Sequence, residues 1–313
     1  MRIAFFGTPD FALPSLHALH AAEDMDIVLV VSQPDRRRSR GKWSPTPVKE
    51  AALSLSLPVE TPDSVNDAAF LSRLDETQPD VLVVIAFGQL LGDALLSRYA
   101  GKILNIHASL LPHYRGAAPI QRAMLAGESE VGVTAMLVEK ELDAGDMLKQ
   151  ASFALKAEDL NIVSKKLSVL GAEVLLDTLR HYEAYYAARV PQDEEKATYA
   201  AKIQREDGLL DMHQSAEMLV RRVLTLKDWP GAKICWMGEE YKVHDAHAEK
   251  DAGEGEVGEI LRADRNGIAI RAGEDVFVVD VLQPANKKSM PVGAFLNGHP
   301  VTPGTKITSW ENV

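Results

Sequence analysis

Asn105 and His107 stand one residue apart in the run Leu104-Asn105-Ile106-His107-Ala108-Ser109. Along a strand alternate side chains share a face. An amide and an imidazole would then project together with Ile103, while Leu104, Ile106 and Ala108 take the other side. Two polar groups on the face of an otherwise apolar strand cost free energy unless they are satisfied. Downstream, Leu142-Asp143-Ala144-Gly145-Asp146 also follows an apolar run. Gly145 is expected to let the chain turn sharply there. A carboxylate beside an imidazole is an acid–base pair, and histidine changes charge near neutral pH. The expectation is that Asp143 and His107 meet at two strand ends of one parallel sheet. The plain alternative is a histidine satisfied in a core or at the surface.

The surrounding elements decide between these readings. Strands are expected at 2–6, 26–32, 79–88, 102–109 and 131–138, and helices at 11–22, 48–57, 70–77, 118–126 and 160–189. The run Val81-Leu82-Val83-Val84-Ile85 is apolar throughout, as in strands buried on both faces of a parallel sheet. The βαβα order predicts an α/β fold with a Rossmann-like, doubly wound, mostly parallel sheet. Ligands bind such sheets at the C-terminal ends of strands, where Asn105 and His107 fall.

After Pro191 the pattern changes. A helix at 215–227 is expected to bury Met218, Leu219 and Val223. Short strands follow at 232–237, 241–244, 258–263, 267–272 and 276–282. Turn signals such as Asn266-Gly267 separate most of them. Five short strands in about a hundred residues suggest a smaller C-terminal OB-like β-barrel. The domains are therefore read as 1–189, a linker at 190–205, and 206–313.

The 313 residues suffice for two domains, and 46% hydrophobic with 25% charged residues is an ordinary globular composition. The net charge of −11 excludes a generally basic nucleic-acid binder. Any such contact must use a local patch. One cysteine, Cys235, excludes an internal disulfide and argues for a buried core residue. His17 with His20, and His244 with His247, lack a third ligand at metal-site spacing, so no metal is expected. The opening Met1-Arg2-Ile3-Ala4-Phe5-Phe6-Gly7 reads as a strand and not as a leader. No apolar run is long enough for a membrane span, so a cytoplasmic protein with no membrane partner is expected. Gly7-Thr8-Pro9 lacks Gly-x-Gly-x-x-Gly spacing, and there is no Walker-type Gly-Lys-Ser/Thr.

From Asn105 to Asp146 the sequence resembles the formyltransferase family that uses 10-formyltetrahydrofolate. The resemblance implies that Asn105, His107 and Asp143 are the catalytic set. It also implies that Ser109, Leu110, Leu111 and Pro112 form a folate-contacting turn. The folate would lie between that turn and Ala86, Phe87, Gly88 and Gln89, its pteridine edge pairing with main chain.

Further motifs narrow the likeness to the branch that formylates initiator Met-tRNA. They include Phe6-Gly7-Thr8-Pro9-Asp10, His113-Tyr114-Arg115-Gly116-Ala117-Ala118-Pro119 and Trp229-Pro230-Gly231-Ala232. Gln283-Pro284-Ala285-Asn286-Lys287-Lys288 is another. The sequence departs from the family at Phe87, where Tyr is frequent, at Gly92, where Pro is usual, and at Asn286, where Gly is usual. By the resemblance, Phe87 keeps an aromatic wall without the hydroxyl.

The basic cluster Arg36, Arg37, Arg38, Arg40 and Lys42 follows the second strand. A charge run is often only a solvated loop. Arginine suits phosphate because its planar fork is bidentate, and the resemblance implies a loop that enters the tRNA. In the C-terminal part Lys287 and Lys288 are expected on phosphates, as are Arg221, Arg222, Lys227 and Lys233. A monomer is expected. Two rivals stay open: a folate-dependent transferase acting on a small amine, and a non-catalytic RNA-binding protein.

Overall fold

The computed structural model describes residues 1–37, 43–250 and 255–307, and the side chains of Arg36 and Arg37 are not described. Arg38, Arg40 and Lys42 lie outside the described residues. The chain divides into two compact units. The first comprises Met1–Ile120, Glu130–Ala154 and Val163–Ala200. The second comprises Gln121–Ser129, Leu155–Ile162 and the chain from Ala201 onward.

The first unit is built on seven strands. They are β1 (Arg2–Gly7), β2 (Asp26–Val31), β3 (Val59–Glu60), β4 (Val81–Ile85), β5 (Ile103–His107), β6 (Glu130–Leu137) and β7 (Met147–Ala154). Their order is β7-β6-β5-β4-β1-β2-β3. The pairs from β3 to β5 are all parallel. β6 and β7 run antiparallel at one edge. The mostly parallel sheet is thus present. From β1 the order runs outward in both directions, so the strand order reverses between β1 and β4. An open α/β sheet has its ligand crevice at the carboxyl ends of the strands beside such a reversal.

The apolar runs explain the sheet. β1 and β4 are buried on both faces, and Ala4, Phe6, Leu82 and Ile103 share one cluster with Phe70 and Leu74. The helices are α1 (Leu13–Ala21), α2 (Pro47–Ser54), α3 (Ala68–Glu76), α4 (Asp93–Arg98), α5 (Pro119–Ala126), α6 (Leu160–Arg180) and α7 (Tyr182–Ala187). Thr46 caps α2 by accepting from the Lys49 N–H, with Pro47 in the first turn. The expected single helix at 160–189 breaks at His181, which leaves helical geometry at φ −117° and ψ 28°. Strand β7 was not expected. Its exposed Gln150 and Ser152 share one face, as suits an edge strand covered mainly on its other side.

The second unit holds β8 (Ala232–Trp236), β9 (Glu239–Glu249), β10 (Ile260–Asp264), β11 (Gly267–Arg271), β12 (Val276–Pro284) and β13 (Met290–Pro291). They form one antiparallel sheet in the order β8-β9-β12-β11-β10, with β13 beside β12. β9 extends well past the expected 241–244 because bulges around Asp245 let it bend and go on pairing. Helix α8 (Ala216–Leu226) is capped by Ser215 and buries Ala216, Leu219 and Val223 in this sheet's core, with Leu226 buried on the same helix. Met218 is 37% exposed, against expectation. It lies off the face repeated at positions 216, 219, 223 and 226. Cys235 is a buried core residue. The short helix α9 (Val292–Leu296) adds Val292 and Phe295 to the same core.

The stretch expected as a linker is divided between the two units at Ala200. Residues through Ala200 belong to the first unit, where Tyr199–Ala200 pairs in parallel with Arg115–Gly116. Among the described residues no helix is long and apolar enough to cross a membrane.

Candidate active site

Asn105 and His107 share the exit end of β5, as the alternation requires. Asn105 pairs with Val84 of β4 on one side and Met136 of β6 on the other. It is partly exposed, and its side-chain amide makes no hydrogen bond among the described residues. His107 is 6% exposed. Its Nε2 donates to the Tyr114 carbonyl at 2.9 Å. Its Nδ1 faces the Asp143 carboxylate at 3.6 Å, longer than a hydrogen bond. Both ring nitrogens therefore look at acceptors, and a proton on Nδ1 would find a carboxylate in front of it.

The expected meeting of Asp143 with His107 occurs, by a different route. β6 is antiparallel to β5 and ends beside Leu104, away from His107. No parallel strand end delivers the carboxylate. The chain folds back instead, with the Leu137 N–H donating to the Asp146 carbonyl at 2.9 Å. Gly145 is not the left-handed residue of this loop; Asp143 is, at φ 52°. The glycine is required by close approach, since a Cβ at 145 would lie 2.1 Å from the Leu137 carbonyl oxygen. Asp143 Oδ2 accepts from the Gly116 N–H at 2.9 Å.

Residues that the sequence reading assigned no part hold this arrangement. Gln192 donates from Nε2 to the carbonyls of Asp143 and Gly145, both at 2.8 Å. Its Oε1 accepts from Arg115 Nε at 2.9 Å. Arg115 is 1% exposed and pairs through both terminal nitrogens with Glu194, at 2.7 and 3.0 Å. The Glu194 carboxylate pushes the Arg115 guanidinium further up, and Arg115 in turn holds Glu194 below the ordinary carboxylate value. The Thr198 hydroxyl accepts from the Tyr114 N–H at 2.8 Å, and the Thr198 carbonyl accepts from the Arg115 N–H at 2.8 Å, which holds the peptide whose carbonyl His107 meets. Nothing in the polar run 191–196 announces this role; only the fold brings it to the loop.

The turn at 109–112 is held tightly. The fully buried Thr134 hydroxyl donates to the Ser109 carbonyl at 2.7 Å and accepts from the Leu111 N–H at 3.1 Å. Ser109 Oγ donates to the His113 carbonyl at 2.6 Å. Ser109 and Leu111 are buried, whereas Leu110 and Pro112 are partly exposed. At the end of the neighbouring strand β4, Ala86 and Gly88 are exposed with φ of 47° and 86°. Phe87 differs from the expected aromatic wall. It is buried edge-on against Phe6, 5.4 Å between ring centres. Its carbonyl is taken by Thr8 Oγ1 at 2.7 Å and Gln33 Nε2 at 3.3 Å. Gln89 is likewise engaged, accepting from the Val65 N–H and donating to the Pro62 carbonyl. Phe87 and Gln89 are thus tied into the protein at the end of β4.

The expected cations fall into two groups. Lys287 and Lys288 are exposed. Arg222 is not a free surface charge, because it donates to the Asp207 carbonyl at 2.6 Å and burial pulls its guanidinium down. Lys233 pairs with Glu240 at 2.9 Å. Arg36–Arg37 forms a short antiparallel pair with Trp43–Ser44. Among the described residues no group of three or more His, Cys, Asp or Glu could hold a metal ion.

Residues 1–179 match the family described as Formyl transferase, and residues 202–300 match Formyl transferase, C-terminal domain. The chain is 42% identical to a methionyl-tRNA formyltransferase of Moorella thermoacetica, over 97% of this chain and 98% of that one. It is 40% identical to a methionyl-tRNA formyltransferase of Latilactobacillus sakei, over 95% of this chain and 94% of that one. HypX from Aquifex aeolicus in complex with tetrahydrofolic acid superposes with a TM-score of 0.61 at 20% identity. That match covers 99% of this chain and 51% of the longer one. At such identity the likeness is one of fold.

Proposed function

The chain belongs to the methionyl-tRNA formyltransferase family, and we propose that it moves the formyl group of 10-formyltetrahydrofolate to the α-amine of initiator Met-tRNA. The observation that carries this reading is the 42% identity that runs through both matched domains, joined to the meeting of His107 and Asp143 at 3.6 Å. A transferase acting on a small amine, or a binding protein without catalysis, is not favoured.

The nucleophile is the neutral amine. A free α-amine has a pKa of about 8, and an ester on the neighbouring carbon lowers it, so no strong base is required for attack. As the amine bonds to the formyl carbon, negative charge gathers on the formyl oxygen. Asn105 is the group best suited to meet it, because its amide is partly exposed and uncommitted. His107 is less direct in that role, since its Nε2 donor is given to Tyr114. The His107–Asp143 pair suits the other task, taking the proton the amine loses and passing it toward the departing N10. Asp143 orients the ring from the Nδ1 side.

The donor fits the strand ends. The exposed main chain at Ala86 and Gly88 suits a pteridine edge rich in donors and acceptors, and Leu110 and Pro112 offer partly exposed apolar surface opposite. The reading takes the monomer as the working form. For the tRNA, the reading uses the basic cluster from Arg36 to Lys42 and the exposed Lys287 and Lys288.

The test offers the protein 10-formyltetrahydrofolate with Met-tRNA, an amino sugar nucleotide or glycinamide ribonucleotide, and measures formyl transfer. Transfer to Met-tRNA is expected. Transfer only to a small amine, or none at all, would reject the reading.

A further inference from the structure

We infer that Gln192, held by the buried Arg115, is a positioning residue that sets the Asp143 carboxylate against His107. The inference rests on the function proposed above for its kinetic part only.

Asp143 occupies a left-handed backbone conformation, φ 52°, that an ordinary L-residue adopts at a cost. Such a conformation persists only where its surroundings fix it. Here a side-chain amide joins two main-chain bonds, Leu137 N–H to the Asp146 carbonyl and Ala144 N–H to the Glu141 carbonyl, in holding the main chain. Gln192 Nε2 spends both N–H groups on the carbonyls of Asp143 and Gly145, at 2.8 Å each, spanning the turn that carries the carboxylate. The side chain of Asp143 is fixed separately, by the Gly116 N–H at 2.9 Å. Both anchors converge on one residue. Gly116 adjoins Arg115, and Arg115 Nε holds Gln192 Oε1 at 2.9 Å.

The hydrogen-bond accounting makes the amide specific. Arg115 can only donate, so it fixes which end of the Gln192 amide is oxygen. The –NH2 end must then face the two carbonyls. Arg115 itself is 1% exposed, and its charge is met by Glu194 at 2.7 Å. A buried arginine with a carboxylate partner is costly to build and is a fixed point once built. The order of action is Glu194 on Arg115, Arg115 on Gln192, and Gln192 on the Asp143 loop. The only charged group directly against His107 among the described ion pairs is Asp143. Moving that loop changes what the ring faces.

Gln192→Glu keeps the volume and the contact to Arg115 but turns the two donors into acceptors facing carbonyls. Gln192→Ala removes the contact altogether. In both variants kcat for formyl transfer is expected to fall by about 10- to 100-fold, because displacing a catalytic group by about 1 Å carries a penalty of that order. KM for the folate donor is expected to stay within about twofold. The second reading needs no substrate: in 15N-labelled protein the His107 Nδ1 resonance is expected to shift, since its facing carboxylate has moved. An unmoved resonance overturns the inference whatever the activity, and so does a kcat within about twofold of the parent. If Gln192→Ala fails to fold, Gln192→Glu decides by the same readings. If the parent protein transfers nothing to Met-tRNA, the proposed function fails, and the resonance alone judges Gln192.

Discussion

Asn105 and His107 occupy the same side of β5 but stand in opposite circumstances. His107 is buried with both ring nitrogens aimed at acceptors, while Asn105 is partly exposed with its amide uncommitted among the described residues. That asymmetry underlies the division of roles proposed above, oxyanion donor for one and proton handling for the other. Asn105→Ala is expected to lower kcat about 100-fold, near 3 kcal/mol for one oxyanion donor. KM for the folate donor should remain within about twofold, because the contact strengthens only as charge develops. Steady-state kinetics with each substrate varied in turn checks this; a rise in donor KM at unchanged kcat would move Asn105 to binding. Two departures from the family pattern are also explained at this scale. Asn286 sits at φ 59°, a conformation in which glycine is favoured and asparagine tolerated. Gly92 donates its N–H to Asn66 Oδ1 at 2.6 Å, a bond that proline could not make.

Helices α6 and α7 are tied to the edge strand β7 by a single polar cluster. Lys149 of β7 donates to Asp177 of α6, and Tyr185 of α7 donates to the same carboxylate oxygen at 2.7 Å. The Lys149 contact, followed by that of Tyr185, holds the Asp177 carboxyl below its ordinary value of 3.8. The sign follows from linkage. With a depressed native value, the unfolded chain binds the proton first as the pH falls. The stabilisation is present above the ordinary carboxylate value and is lost as pH drops through the native one. Asp177→Asn should therefore lower Tm near about pH 6, and the gap to the parent should close toward about pH 3. A gap that stays constant across that range would mean the cluster contributes by packing and not by charge. The helix break at His181 belongs here too, since it swings Tyr185 onto Asp177 where one continuous helix was expected.

For the molecule as a whole, a net charge of −11 sets a condition on the tRNA partner. Long-range repulsion must be overcome by few, concentrated cations. Lys287 and Lys288 are exposed, whereas Arg222 and Lys233 are committed to Asp207 and Glu240. Binding of tRNA should weaken linearly in log–log with salt, by about 0.9 per phosphate neutralised on duplex. Replacing both Lys287 and Lys288 by Glu should weaken binding and reduce that slope by about 2. Filter binding over a salt series reads both quantities. An unchanged slope would remove these lysines from the interface.

The order of apolar runs was enough to determine the mostly parallel sheet, because strands buried on both faces must be apolar throughout. Alternation alone placed Asn105 and His107 on one side of a strand end. Local sequence could not tell how Asp143 arrives, since the antiparallel turn of β6 depends on partners far along the chain. It gave no sign of Gln192, whose Pro191-Gln192-Asp193 setting is that of a linker until Arg115 and the loop carbonyls meet it. It assigned Phe87 to an aromatic wall only by resemblance, and the edge-on packing of that ring against Phe6 is seen only in the fold. Periodicity is a property of neighbours in sequence and so can be read from it. Hydrogen-bond partners 47 to 79 residues apart exist only once the chain has closed on itself.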